Sequence, residues 1–480
     1  MTIYHKSALN LKIGIKKIKL DMTLNIFEIS SNQILNKDRF EPNFHYIYNQ
    51  FEKFEKKQKK TILNLGDQRI LLKITDGEHA GQKFVNDGVR FIKNSAVRDF
   101  SINLLDKFKI SESKHKFLKR SALKKDDILF TTIGHLGSAA IVKKNFGEAN
   151  INQNLVKMEI NKDFINPFYL TCYLNSFLTK RQIRGLLTRN IHSIITYPKI
   201  KSIKIVIAEK DFQEKIGNLY KTYLDLEDQM FLKIKKAQDI FYEEFNIEIK
   251  KTSKIFETNI SKFKNHLWTP RYSYPKYNHL IDQIKKINSV KLGIVANFEK
   301  GDEPASENYN EYLDKNEDDI PFVRTSDMIN YDLDLYPDFY VPKEIYNELS
   351  QKLIKGDILF SNDGKIGNIS IIPDNKNHVV LQSHIRTIRL NHLSKKYKLS
   401  REYLFLVLTT DVSKLQCEKF TVIQSTLPTI SNNLSNFYIP LISENKMKKI
   451  TNLVQEFCLL MLKKREILKM IRDKFSENFK

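Results

Sequence analysis

Cysteine is scarce in this chain: three in 480 residues, Cys172, Cys417 and Cys458, far apart in sequence. No CxxC pair occurs and no histidine stands near them at metal-ligand spacing. A disulfide framework and a zinc site are therefore not expected, and the three read as reduced core thiols. Long apolar runs are missing as well; none reaches the ~18 residues needed to span a bilayer. The opening stretch MTIYHKSALNLKIGIKKIKL has no apolar core followed by small residues, so it does not read as a signal peptide, and a cytoplasmic protein is expected. Acidic residues are also in short supply. Asp and Glu number 56 against 79 Lys and Arg, which leaves +23 at pH 7. Such an excess favours a polyanionic partner, because each neutralised phosphate releases condensed counterions. A proteome rich in Lys, Ile and Asn would give a basic chain without one.

What is present is organised by a repeat. At 41% hydrophobic and 28% charged the sequence is globular, and 480 residues are too many for one ordinary core. Lys124–Phe130 (KKDDILF) matches Ile354–Phe360 (IKGDILF), so that Asp127 corresponds to Asp357 at an offset of 230. The same offset carries Gly134 to Gly364, Gly137 to Gly367, Ile151-Asn152 to Leu381-Gln382 and Pro198 to Pro428. Upstream, Val89–Lys93 matches Ile320–Arg324 at 231, and Pro42 with Tyr48-Asn49 matches Pro270 with Tyr277-Asn278. Ordered anchors at one offset mark a duplication. Each copy reads as a helical lead-in, short β-rich runs and a D-I-L-F strand entering a Gly-containing loop. A helix follows (around Phe168–Leu187, and Arg401–Leu415 in the second copy), then a Pro-marked loop and a final apolar strand.

Each copy ends in a long helix. In the first, Ile216, Leu219, Tyr223, Leu226, Met230, Ile234, Ala237, Phe241 and Phe245 follow a 4-and-3 spacing. In the second, Met447, Ile450, Leu453, Phe457, Leu460, Ile467, Ile471 and Phe475 do so, with Lys464 interrupting one position. Both are heptad seams. Asp211 and Ser443 are the expected N-caps. A lone helix with such a stripe must bury it, and pairing the two is the simplest solution. Leu219, Leu226, Met230, Leu453, Phe457 and Leu460 are the expected pairing residues. Lys233, Lys235, Lys236, Lys463 and Lys464 lie on the opposite faces, as a solvated face, a phosphate track or a partner surface. The expected architecture is α/β: two pseudo-symmetric modules separated by two long helices packed as an antiparallel coiled coil, whose length would fix a spacer between two patches on DNA.

These motifs in this order resemble the specificity subunits of type I restriction–modification systems. The residues that carry the likeness are Gly356–Gly367 (GDILFSNDGKIG), the closing runs from Thr196 (TYPKIKSIKIVIAEKDFQEKI) and Ser425 (STLPTISNNLSNFYIPLISENKMKKI), and Ile74–Gly81 (ITDGEHAG), similar to a D-G-x-H motif. Lys300–Pro304 (KGDEP) takes its place in the second copy. The first copy departs from the pattern with Asp126 where Gly356 stands, and with a loop, TTIGHLG, that lacks the acidic residue. The resemblance implies a first target-recognition domain (1–208), a first spacer helix (209–250), a second recognition domain (251–442) and a second spacer helix (443–480). It implies double-stranded DNA as ligand, read as a bipartite target, with two methyltransferase subunits and translocase-nuclease restriction subunits as partners. S-adenosylmethionine, ATP and Mg would belong to those partners and no cofactor to this chain.

Base edges are reached by side chains that project from loops at strand ends. In the first copy the candidates are His79, Arg90, Lys93, Thr131, His135, Arg184, Arg189 and His192. In the second they are Arg324, Ser361, Asn362, Lys365, Lys419, Gln424, Ser425 and Thr426. For each, an ordinary solvated side chain is the competing reading. Gly134, Gly137, Gly364 and Gly367 lack the frame of a phosphate loop and read as turn glycines. Asp127 and Asp357 read as turn caps. Gln153, Asn154, Gln382 and His384 fit buried hydrogen bonding as well as base contact.

Catalytic signatures are missing too. There is no N/D-P-P-Y/F tetrapeptide (Asn166-Pro167-Phe168 lacks the second proline), no G-x-G-x-x-G after a strand and no Walker sequence. A non-catalytic subunit is expected. The alternatives are the same role in a phage-defence or type IIB-like methyltransferase complex, a free-standing endonuclease, or a basic scaffold that binds nucleic acid without base preference.

Overall fold

The computed structural model describes residues 2–5, 25–28, 42–58, 60–79, 81–106, 108–187, 194–245, 255–258, 269–304, 318–375, 378–424 and 426–479. The chain divides into two units, Met1–Tyr223 with Glu466–Lys480, and Leu224–Arg465.

In the first unit the strand Ile128–Thr131 is buried along its length because both its faces are covered. It lies in a four-stranded antiparallel sheet ordered Ala139–Ile141, Ile128–Thr131, Leu155–Ile160, Leu71–Asp76. A second sheet sets Val89–Ile92 parallel to Ala149–Ile151 and antiparallel to Lys109–Ile110. Leu129 joins Ile92, Val97, Ile102, Val142, Ile151 and Leu155 in a core shared by the two sheets.

The second unit repeats this plan. Its four-stranded sheet runs Ala296–Lys300, Ile385–Leu390, Ile358–Ser361, Ile369–Ile371, and its three-stranded sheet sets Ile320–Val323 between Val380–Leu381 and Tyr340–Val341. Leu359, Val323, Met328, Leu333, Ile372, Leu381 and Ile385 form the matching core, each 230 or 231 residues after its counterpart. Side chains alternate across a strand. Ile358 and Phe360 therefore point the other way from Leu359, into a larger core with Tyr403–Leu408 and the long helices.

The single helix expected after each sheet is two helices: Pro167–Leu174 and Phe177–Leu186, then Arg401–Thr409 and Asp411–Phe420. The break follows from side-chain competition for backbone. Asn175 bonds both Ala139 N and Ala139 O, at 2.9 and 2.8 Å, while the Ser176 and Thr179 hydroxyls turn back onto Tyr173 O.

The long helices span Lys210–Glu244 and Glu444–Asn478, 35 residues each. Asp211 sits inside the first turn and is not the cap; the Ser443 hydroxyl goes to Glu244 at 2.8 Å and not to a helix amide. The helices pack antiparallel. In the first unit Phe212 meets Phe475 and Phe479 edge-on at 6.1 and 5.9 Å. In the second, Lys446 pairs with Glu243 at 3.4 Å and Lys233 with Glu456. The buried stripe follows the expected one, with local departures. Met230 and Phe457 are buried, but Leu219, Leu226, Leu453 and Leu460 are half-buried on its flank, and Tyr220, Glu227, Val454 and Met461 take the inner seats. At these four places the buried position moves by one residue, while Ile216, Tyr223, Ile234, Ala237, Phe241, Phe245, Met447, Ile450, Ile471 and Phe475 are buried where expected. Polar groups can hold seam positions because the modules supply partners: Glu227 accepts from Asn330 at 3.1 Å, and Lys464 pairs with Asp332 at 2.9 Å.

In each unit a two-residue hairpin tip presses on the helices. Phe100 and Tyr331, 231 residues apart, both take left-handed backbone, φ +67° and +64°. An aromatic residue adopts that backbone only when its surroundings enforce it. Phe100 packs on Tyr220 and Tyr223 at 5.6 and 6.3 Å; Tyr331 packs on Phe231 and Phe405 at 6.2 and 6.0 Å. No helix among the described residues is long and apolar enough to cross a membrane.

Candidate nucleic-acid interface

The strands of each unit deliver a set of loops to one edge, and hydrogen bonds tie those loops together. In the first unit Leu71–Asp76 runs into Gly77–His79, Val89–Ile92 into Lys93-Asn94, Ile128–Thr131 into the glycine loop, and Ala149–Ile151 into Asn152–Asn154. Asn94 N donates to Asn152 Oδ1 at 3.2 Å and Asn94 Nδ2 to Ile133 O at 3.2 Å; Thr132 N reaches Asn154 O at 3.1 Å. The second unit repeats these links. Thr325 N donates to Gln382 Oε1 at 3.3 Å, and Asn362 N to His384 O at 2.8 Å.

Glycine makes the close approach possible. A Cβ on Gly77 would stand 1.9 Å from Ile151 O, and one on Gly301 2.3 Å from Gln382 O. The weaker motif of the second copy, KGDEP, thus occupies the place of DGEH. Gly134 and Gly364 have φ +81° and +72°, Gly137 and Gly367 +74° and +87°, as turn glycines require. The position that carries Gly356 at φ +88° is held by Asp126 at +69°, with Lys162 2.6 Å from its carboxylate. Asp127 and Asp357 cap the preceding turn, accepting from Lys124 N at 2.8 Å and Ile354 N at 2.9 Å. Burial pushes the Asp127 carboxyl above the usual range.

The expected contact residues divide sharply. Thr131 and Ser361 are fully buried and hold the loop shut. Thr131 Oγ1 donates to His135 O and accepts from Ser138 N at 2.9 Å; Ser361 Oγ donates to Lys365 O at 2.6 Å and accepts from Asn368 N at 2.7 Å. Asn362 and Lys419 are buried too. A buried side chain cannot reach base edges in a groove in this conformation, so none of these four reads a base; Thr131, Ser361 and Asn362 hold their loops, and Lys419 lines a cavity. His135 and Lys365 occupy equivalent loop positions, half-buried and exposed respectively. Arg184 and Thr426 are exposed. His79 is exposed, its ring bonded to Asp76 at 2.6 Å, and Arg120 reaches the other oxygen of that carboxylate at 3.0 Å. Lys93 and Arg324 are half-buried over equivalent rings, 3.4 Å from the centre of Phe108 and 4.2 Å from that of Phe339. Desolvation lowers the Lys93 ammonium from its ordinary value. Arg90 lies over Phe146 at 4.9 Å. Arg189, His192 and Ser425 lie outside the described residues; Gln424 ends the strand Val422–Gln424.

One cluster joins residues that the sequence marked separately, the acidic residue of the second loop and His384. Asp363 bonds His384 Nδ1 at 3.0 Å and the Thr429 hydroxyl, and pairs in β-bridge fashion with Thr429. Burial pushes its carboxyl up, but the Thr429 and His384 hydrogen bonds outweigh this and hold it below the usual range. Ile133 and Asn154 stand at the positions equivalent to Asp363 and His384, so the two loop sets present different chemistry. Among the described residues no group of three or more His, Cys, Asp or Glu side chains could hold a metal ion.

Comparison with known proteins gives the following. Residues 284–470 match the family described as "Type I restriction modification DNA specificity domain". Over 311 residues, 63% of this chain and 67% of the relative, the sequence is 22% identical to a Methanocaldococcus jannaschii protein named as a type I restriction enzyme specificity subunit. Among solved structures, the type I restriction–modification S subunit from M. genitalium aligns at 12% identity and TM-score 0.33, covering 88% of this chain and 96% of that one. The HsdS subunit from Thermoanaerobacter tengcongensis aligns at 14% and 0.29, covering 87% and 96%.

Proposed function

We propose, from the premise that residues 284–470 carry a type I restriction–modification DNA specificity domain, that the whole chain is a two-headed reader of DNA sequence. The observation that carries the reading is the duplication. Every strand of the two main sheets in the first unit has a counterpart in the second, in the same order, and both sets end in loops knitted at one edge. Two copies of one reader, with different side chains on equivalent loops, suit a target of two unlike halves. His79, Arg90, Lys93, His135 and Arg184 in the first unit, with Arg324, Lys365 and Thr426 in the second, are the described side chains proposed to contact DNA. Arginine and lysine among them serve bases or phosphates; loops carry most of them, while Arg90 stands on the strand Val89–Ile92 and Arg184 on the helix Phe177–Leu186.

In this reading the chain performs no chemistry. It brings an adenine methyltransferase, and with it restriction subunits, to the target, so S-adenosylmethionine, ATP and Mg²⁺ act on those partners. The cytoplasm is the proposed location. The paired helices fix the number of base pairs between the half-sites.

The decisive experiment exchanges residues 60–208 for those of a relative with another specificity and sequences the methylome of cells carrying the hybrid with its methyltransferase. One half of the methylated motif should change, with the other half and the spacer kept. A change in both halves, or in neither, would refute the division of labour.

A further inference from the structure

A cavity of about 550 Å³ opens in the unit Leu224–Arg465, at the end of the helix Asp411–Phe420. Three lysines line it: Lys285 from the helix Pro275–Lys286, Lys291 from the strand Ser289–Lys291, and Lys419. Lys285 and Lys291 are exposed and lie over the same ring, 5.3 and 5.7 Å from the centre of Tyr438. Lys419 comes from inside the fold. It is 7% exposed and donates to Tyr272 O and, at 2.8 Å, to Asn278 Oδ1. An ammonium carries three N–H donors, of which these bonds use two; the Tyr272 ring also lies 4.1 Å from the nitrogen.

Two features of this wall lack compensation. First, none of the three lysines forms an ion pair among the described residues; Asp282 is the one carboxylate in the lining. Like charges gathered in a partly desolvated space raise one another's cost. Burial, opposed by Asp282, brings Lys419 down to about 8. Second, the Ser273 hydroxyl in the same lining is 4% exposed and has no hydrogen-bond partner, which is costly for a buried polar group. A single compact oxyanion would relieve both. Three ammonium groups against one carboxylate suit a dianion better than a carboxylate; the amides of Asn433 and Asn436 each give one N–H, to Ile430 O and Asn433 Oδ1 respectively, and keep one further donor.

We propose that this cavity is a phosphoryl-group site, with Lys285, Lys291 and Lys419 neutralising the anion and the Ser273 hydroxyl donating to it. The phosphoryl group belongs either to the DNA backbone, a source that rests on the DNA-reading proposal, or to a free nucleotide or phosphate, a source that does not.

The full-length chain is titrated with pyrophosphate at low salt by isothermal calorimetry. One site per chain is expected, weakened at least about tenfold in the doubly substituted Lys285→Gln, Lys291→Gln chain, whose changes are at exposed positions and leave the fold intact. Sulfate, whose charge is constant over the range, should lose about tenfold in affinity from about pH 7 to about pH 9 as Lys419 gives up its proton. Lys419→Met should abolish that dependence. A duplex that displaces pyrophosphate assigns the site to backbone phosphate; a duplex that binds alongside it assigns it to a free phosphate compound. No heat with pyrophosphate, or equal affinity in the double variant, overturns the site. Pyrophosphate binding by a chain that ignores duplex DNA keeps the site and removes the DNA-reading proposal.

Discussion

Asp126 and Gly356 occupy one position in the two halves and face the same demand, a left-handed turn before the D-I-L-F strand. Glycine meets it freely, whereas a residue with a Cβ pays on the order of 1 kcal/mol. The nearby Lys162 is too exposed to offset much of this, since surface ion pairs are worth little. Asp126→Gly should therefore leave stability unchanged or raise it by about 0.5–1 kcal/mol. The reverse change, Gly356→Asp, should lower it by about 1 kcal/mol or more, because its Cβ would stand 2.0 Å from Arg401 Cδ. Urea unfolding of the two variants decides. A loss in Asp126→Gly would mean that the carboxylate contributes more than the backbone costs. At this scale the sequence was readable where backbone geometry selects the residue, as at Gly134 and Gly364. It was not readable where a side chain has two possible directions: the hydroxyls of Thr131 and Ser361 sit on loops, as read, but turn inward to hold them.

Among the elements, the hairpin tips decide how each sheet module grips the long helices. The first unit uses the Ser101 and Tyr223 hydroxyls, 2.9 Å apart. The second uses charge: Asp332, fully enclosed, pairs with Arg465 at 2.6 Å and Lys464 at 2.9 Å. Burial pushes the Asp332 carboxyl up, but Arg465 and Lys464 together outweigh it, and the group lies below its ordinary value. A depressed carboxyl contributes stability in full above its unfolded pKa of about 4 and loses it as pH falls through the lower folded value. Asp332→Asn leaves Lys464 buried without its counter-charge, at a cost of about 3–5 kcal/mol near neutral pH. The gap between wild type and variant should close only in acid below about pH 4. Parallel urea titrations at neutral and acid pH test this, and a gap that persists in acid would assign the loss to packing. The heptad spacing was legible in sequence because burial selects apolar residues periodically. The phase was legible at most seam positions and failed at Leu219 and Leu226: they are as apolar as any seam residue, and only the module behind the helix decides that Tyr220 and Glu227 go inside.

For the whole molecule the expected consequence is electrostatic. A chain of +23 that holds several phosphates should bind DNA with an affinity that falls steeply as salt rises. If about six or more phosphates are contacted, fluorescence anisotropy should record a loss of roughly a thousandfold or more between about 50 and 200 mM salt, for specific and scrambled duplexes alike. The specificity ratio should survive the change better than the affinity. A shallow slope would assign the net charge to the chain's composition alone.

The duplication, the α/β class and the pair of heptad helices were determined by the sequence itself, because each is a pattern in one dimension that burial and backbone geometry impose on residue type. Tertiary structure alone decided which polar groups turn inward, which seam residue faces the partner, and that Lys419 with Lys285 and Lys291, distant along the chain, line one cavity. Those outcomes depend on what stands behind each residue once the chain has folded, and a linear pattern carries no record of that.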